Sequence, residues 1–401
     1  KRILVKKFEL GLFENPFKFS DEVREKKYVL TNEHKNTARK MAAQSIVLLK
    51  NEGDLLPLKP EVKRIAMIGP MAKAVREHLG FWSIEWPGDS SYIVSPFAGI
   101  QSQLPANITL SYAKGCDINS SDTSYFAEAV ATAANADVVW LFVGEARDMS
   151  GEAKSRAHLG LPGVQHQLIQ RLTAANKQIV LVIHAGRPLI FNWERAHVPT
   201  IVYAWWLGSE TGNALFDVFS GKVNPSGKLP MTFPLTEGQI PIYYNHFNTG
   251  RPAKNDADRF YRSAYIDESL YPAYPFGFGL SYAKFEYSNL TISKSTFYKK
   301  DTITISCDIT NIGDVAGTET IQLYIRDKVA SVVRPIKELK AFEQVFIESK
   351  KTKKVSFPLS INDFKFYNDA LEWIAEPGEF EIMIGSSSAD IHLQQRIELL
   401  N

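Results

Sequence analysis

The sequence predicts an α/β sandwich, a parallel-rich sheet with helices on both faces, followed by an all-β sandwich. Three observations predict it. Between residues 36 and 259, apolar runs of strand length alternate with segments of helical period, the pattern of a parallel sheet crossed by helices. Near Pro275-Phe276-Gly277-Phe278-Gly279-Leu280-Ser281-Tyr282 the texture changes. From residue 285 to 401, apolar residues recur at every second position in short runs, as half-buried strands require.

Taken in order, residues 1–35 read as a connecting arm, with Gly11, Asn15, Pro16 and the charged stretch Asp21–Lys27. A helix is expected from Asn36 to Leu49, because Ala38, Met41, Ala42, Ser45, Ile46 and Leu49 share one face. Arg64–Pro70 reads as a strand ending in a turn, Ser121–Asn135 as an Ala-rich helix and Asp137–Val143 as a buried strand. Pro162–Asn176 reads as a helix with Pro in its first turn and Val164, Leu168 and Leu172 stacked at i, i+4. Strands are expected over Gln178–His184 and Thr200–Trp206, and a helix over Gly212–Ser220. Residues 260–284 form a tether. Beyond it, alternation over 302–309, 320–325, 354–357, 373–374 and 380–384, with turns at Asn311–Asp314 and Glu376–Glu379, predicts an immunoglobulin-like sandwich.

Composition narrows the function. With 401 residues, two or three domains are expected. A net charge of +2 argues against nucleic acid or an anionic membrane as partner. No apolar run approaches the roughly 20 residues of a membrane span. Cys116 and Cys307 lie too far apart for a disulfide framework, and the eight His lack ligand spacing. No cofactor or metal is expected. No glycine-rich phosphate loop or Gly-x-Ser-x-Gly elbow is present; Gly208-Ser209-Glu210-Thr211-Gly212 has its Ser one place early.

Two segments could carry chemistry. The acidic loop from Gly144 to Arg156 follows the buried strand Val138–Val143. Carboxylates are thus delivered at the carboxyl end of a strand, where open α/β sheets place ligands. Glu152, in a Ser-Gly-Glu-Ala setting, can reach out of the domain. The competing reading is a solvated glutamate paired with Lys154 or Arg156. Glu145 and Asp148 compete with Glu152 for the role; Glu145, closer to the strand end, reads as structural, accepting backbone N–H groups of its own loop. The second segment is Phe81-Trp82-Ser83-Ile84-Glu85-Trp86-Pro87-Gly88-Asp89. Exposed indoles stack on sugar faces and anchor binding patches. Trp82 is expected to plug the domain base and Trp86 to be exposed.

Several motifs in this order resemble the C-terminal part of glycoside hydrolase family 3, the β-glucosidase and β-xylosidase group. They are Ala42–Asn51, the Trp82–Asp89 loop, His184-Ala185-Gly186-Arg187-Pro188, Asn224–Pro234, Tyr274–Tyr282, and Asn311-Ile312-Gly313 with Gln322-Leu323-Tyr324. The resemblance implies an α/β sandwich over 36–259 and a fibronectin type III-like domain over 285–401. It implies a retaining exo-β-glycosidase acting on β-glucosides or related β-linked oligosaccharides. Glu152 would be the general acid/base, Trp86 would stack on the leaving-group side with Trp82 beside it, and Arg156 would help hold the carboxylate. The family's nucleophile is an Asp of an N-terminal β/α barrel, which this sequence lacks; residues 1–35 resemble that barrel's last helix and linker. The chain alone is then expected to be nearly inactive. A periplasmic or secreted location and a possible homodimer are implied in the same way. The alternative is a non-catalytic carbohydrate-binding or assembly fragment.

Overall fold

The computed structural model describes residues 1–83 and 90–401. The arm holds α1 (Arg2–Glu9) and α2 (Glu22–Tyr28), neither of which buries a residue. Ile3, Phe8 and Phe17 lie on its exposed surface. The α/β domain then runs α3 (Asn32–Ser45), β1 (Val47–Asn51), β2 (Arg64–Ile68), α4 (Pro96–Gln101), β3 (Thr109–Ala113), α5 (Phe126–Ala134), β4 (Val138–Gly144), α6 (Gln165–Ala175), β5 (Ile179–His184), α7 (Asn192–His197), β6 (Thr200–Tyr203) and α8 (Thr211–Phe219).

The helix expected over 36–49 ends at Ser45, and Val47–Asn51 is a strand instead. Its apolar run packs equally well in either form, so periodicity does not separate the two. β1 joins the sheet edge antiparallel to β6, whereas β2 to β6 pair in parallel. The sheet order is β1-β6-β5-β4-β2-β3. From β2 the chain steps outward to β3, then returns to the other side of β2 as β4. The carboxyl ends of β2 and β4 therefore flank the point where winding reverses, and loops leaving there part to opposite faces.

Alternation along the central strands explains both layers. In β4, Val139, Leu141 and Val143 pack with Ala129 and Ala133 of α5 and Leu168, Ile169 and Leu172 of α6. Val138, Trp140 and Phe142 face the opposite way, onto Ala42 of α3, Ile100 of α4 and Leu215, Val218 and Phe219 of α8. Successive side chains point to opposite faces, and both faces are covered, so β4 is buried throughout.

The β-sandwich contains β7 (Phe285–Ile292), β8 (Thr296–Phe297), β9 (Ile303–Asn311), β10 (Gly317–Asp327), β11 (Glu338–Ile347), β12 (Thr352–Leu359), β13 (Phe366–Tyr367), β14 (Trp373–Ile374), β15 (Gly378–Gly385) and β16 (Ile391–Leu399). A five-stranded sheet, β11-β10-β15-β16-β8, faces a three-stranded one, β12-β9-β7. Ile305, Cys307 and Ile309 interleave with Ile321, Leu323, Phe380 and Ile382 between them. Cys116 and Cys307 are both buried free thiols.

The two sandwiches are stitched together around the turn Pro275–Tyr282. Gln322 of β10 donates to the Gly277 carbonyl at 3.1 Å and to Ser386 at 2.7 Å. Lys228 pairs with the buried Glu319 at 3.2 Å. Leu280 bridges Leu48, with its N–H 2.8 Å from the Leu48 carbonyl, along the open side of β1.

Gly144 ends β4 with φ of 149°, and a Cβ there would lie 1.8 Å from the His184 carbonyl oxygen. Gly144→Ala must therefore separate β4 from β5 and should destabilise the chain by at least about 2 kcal/mol. Gly160→Ala, where nothing lies within 4 Å of the added carbon, should stay within about 0.5 kcal/mol of the parent. Urea unfolding of the two variants checks the contrast; equal midpoints would contradict it.

Candidate active site

The site is built where β2, β4 and β5 end. Gln165 at the start of α6 fixes the base of the acidic loop. Its Oε1 accepts from the Gly144 N–H at 2.8 Å, and its Nε2 donates to the Gly144 and Ile118 carbonyls at 2.8 and 2.7 Å. The next residue, Glu145, has no exposed surface, and its N–H donates to the His184 carbonyl at 2.8 Å. Its carboxylate is held by Arg156 Nη1 at 2.5 Å and by Arg187 Nε at 3.2 Å. The expectation of a structural Glu145 holds, but two guanidinium groups hold it rather than N–H groups of its own loop. A buried carboxylate needs such partners. Removing them from one side of a buried pair costs about 3–5 kcal/mol.

Arg156 was expected to hold the Glu152 carboxylate. It holds Glu145 instead, and its Nη2 donates to the Gly160 carbonyl at 3.0 Å. The physical reason is dielectric. A buried carboxylate attracts a guanidinium more strongly than one in water.

Glu152 lies on the outer arc of the loop and is exposed. It makes no hydrogen bond or ion pair with any described residue, so neither Lys154 nor Arg156 neutralises it. Gly151 precedes it at φ of 144° and packs against the Phe81 ring, which a Cβ would meet at 2.4 Å. Glu77 reinforces this contact between loops by accepting from the Arg147 N–H at 2.6 Å. The acidic loop is thus packed on Phe81 and tied to Glu77.

The Trp expectation is reversed for Trp82. Its indole is 71% exposed, with its ring edge-on to Phe81 at 5.1 Å. Phe81, not Trp82, fills the space beneath the loop, because its ring meets Gly151 directly. Trp86, expected to be the exposed member, lies outside the described residues.

Reasoning from spacing missed Arg187, Gln165 and a histidine pair. Arg187 stood in the His-Ala-Gly-Arg-Pro motif, yet nothing in spacing links it to Glu145 across 42 positions. His184 is buried against His78, with ring centroids 4.6 Å apart at 70°. His78 Nε2 meets the Met71 carbonyl and His184 Nδ1 the Trp205 carbonyl, each at 3.2 Å. Burial lowers His78 to about 4 and His184 well below its ordinary value, the latter with added repulsion from His78. Tyr203 donates to the Arg187 carbonyl at 2.5 Å, and burial beside Glu145 raises its phenol well above the usual range.

Chemically, the fastened loop presents two exposed carboxyls, Asp148 and Glu152, neither of which has a hydrogen-bond or ion-pair partner among the described residues. Glu145 cannot serve as an attacking partner, since both its oxygens are committed to arginines in the interior. Among the described residues, no group of three or more His, Cys, Asp or Glu side chains is placed to hold a metal. No described helix is long and apolar enough to cross a membrane.

Comparison with known proteins gives the family. Residues 46–282 match the glycosyl hydrolase family 3 C-terminal domain, and residues 319–388 match a fibronectin type III-like domain. The chain is 39% identical to a periplasmic beta-glucosidase of Salmonella typhimurium, over 100% of its own length and 55% of that protein's. It is 38% identical to a beta-xylosidase of Formosa agariphila, over 96% of its length and 53% of the relative's. The crystal structure of a beta-glucosidase from Listeria innocua in complex with glucose superposes with a TM-score of 0.90 at 37% identity, over 100% of this chain and 54% of that one. The chain spans about half the length of the curated relatives it matches.

The histidine pair sets a pH dependence of stability. Well above about pH 6.5 both rings are neutral, folded or unfolded. As pH falls towards about 4, the unfolded chain takes up protons that the folded interior refuses, so stability decreases. His78 alone should account for about 2 kcal/mol by about pH 5. Urea midpoints measured against pH should fall more steeply for the parent than for His78→Leu. Parallel curves would show that His78 keeps its proton in the fold.

Proposed function

Because the chain belongs to glycosyl hydrolase family 3, we propose that it supplies the general acid/base, Glu152, of a retaining exo-β-glycosidase. The substrates are β-glucosides or related β-linked oligosaccharides. The observation that carries this is the position of Glu152: an exposed carboxyl without a partner among the described residues, on a loop fastened at both ends, at the reversal point of the sheet.

A retaining glycosidase needs two carboxyl groups roughly 5–5.5 Å apart across the scissile bond. In this reading Glu152 protonates the departing glycosidic oxygen. A second carboxylate attacks the anomeric carbon and forms a glycosyl-enzyme bond. Glu152, now ionised, takes a proton from water, and that water releases the sugar. The second carboxylate is an Asp of a barrel outside this chain. The apolar surface of the arm, with Ile3, Phe8 and Phe17 exposed, suits contact with such a domain. Trp82, with its exposed indole, stacks on the leaving-group side. The relative named periplasmic supports a periplasmic or secreted location.

The test is hydrolysis of an aryl β-glucoside and an aryl β-xyloside by the chain alone, mixed with a barrel domain, and as one continuous enzyme. The chain alone should give no turnover above buffer, and the barrel-containing enzyme should be active. In that enzyme Glu152→Gln should lower kcat/KM on poor leaving groups by about 10²–10⁴-fold. Clear turnover by the chain alone would place the nucleophile within these 401 residues, and a harmless Glu152→Gln would remove the acid/base assignment.

Trp82→Ala in the same enzyme should raise KM for longer oligosaccharides and leave small aryl glycosides nearly unaffected. Equal KM for both variants on the oligosaccharides would exclude Trp82 from the binding face.

A further inference from the structure

We infer that Arg187 is a positioning residue for Glu152, one guanidinium that fastens both sides of the acid/base arc and is itself held by Glu145. The inference rests on the reading of Glu152 as the acid/base. Arg187 follows β5, on a different segment from the acidic loop. Its Nη2 donates to the Met149 carbonyl and, at 2.7 Å, to the Lys154 carbonyl. These two carbonyls bracket Ser150-Gly151-Glu152-Ala153. Within that arc Gly151 and Ala153 both have positive φ, 144° and 57°. For Ala this conformation is unfavourable and persists only when its surroundings impose it.

Arg187 is oriented in turn. Its Nε faces Glu145 Oε1 at 3.2 Å and Oε2 at 3.3 Å, and its own carbonyl accepts from the Tyr203 hydroxyl at 2.5 Å. A planar fork can serve a carboxylate and two carbonyls together; a lysine ammonium on a flexible stem lacks that geometry. Glu145 has a second effect. An arginine paired to a carboxyl holds it ionised, which a proton donor must avoid. By taking both Arg156 and Arg187, Glu145 keeps these guanidinium groups off Glu152. The backbone under Glu152 is thereby fixed while its side chain keeps no partner among the described residues.

The test uses the barrel-containing enzyme and a series of aryl β-glucosides running from dinitrophenyl to phenyl. A general acid assists only departures that need a proton, so its loss or misplacement shows on the poor leaving groups. Glu152→Gln sets the reference slope. Arg187→Met should lower kcat/KM on the phenyl glucoside about 10–100-fold, as misplacement by about an ångström does, with little change on the dinitrophenyl glucoside. Arg187→Lys should recover part of the loss. Thermal unfolding reports whether each variant is folded. If Arg187→Met does not fold, the Arg187→Lys slope decides: steeper than the parent supports the inference, and equal to it overturns it. Equal loss on every leaving group in a folded variant, or no loss, also overturns it. A steep slope for Glu152→Gln with a flat one for the Arg187 variants removes the positioning role alone. A flat slope for Glu152→Gln removes the acid/base reading, and this inference with it.

Discussion

The burial of Glu145 between Arg156 and Arg187 is the interaction on which the architecture of the site depends. A carboxylate immediately after a fully buried strand has no water to solvate it, so it must recruit cations from the chain. It recruits two from the loops after adjacent strands: Arg156 from its own loop after β4 and Arg187 from the loop after β5. The surplus donors on those cations reach the Gly160, Met149 and Lys154 carbonyls. One desolvated charge therefore organises a loop that has no regular secondary structure over most of its length.

This arrangement separates two tasks that a single carboxylate cannot perform together. Glu145 gives up reactivity for structure, because both its oxygens are committed. Glu152, seven positions later, is left without a partner among the described residues and faces outward. The Trp-bearing segment is drawn into the same unit, since the Phe81 ring lies on Gly151 and Glu77 caps the Arg147 N–H. A change in one loop is thus transmitted to the other by direct packing, not through the distant core.

The sheet was legible because its central strands are buried on both faces. Val138–Val143 and Ile179–His184 are continuous apolar runs with few alternative homes. Where a run could serve two structures, the reading failed, as at Ile46–Leu49, where a helix gives way to an edge strand. The strands β7, β11 and β16 were passed over because many of their residues alternate into solvent; Phe342 and Phe346 of β11 are exposed. At the site, Glu152 could be proposed from its position after a strand, because topology alone delivers loops there. Its surroundings could not. The partners of Glu145 depend on which arginine the fold brings into the interior, and the fate of Trp82 depended on its neighbour Phe81 occupying the space below.

The stitch around Pro275–Tyr282 gives the β-sandwich a purpose that needs no chemistry. Leu280 lies along the open side of β1, and Gln322 holds the turn that delivers it. An uncovered edge strand presents a row of unpaired backbone groups that another chain can extend. The β-sandwich thus helps hold in place the Leu280 backbone that pairs with Leu48, so part of the β1 edge is already taken by the protein's own chain.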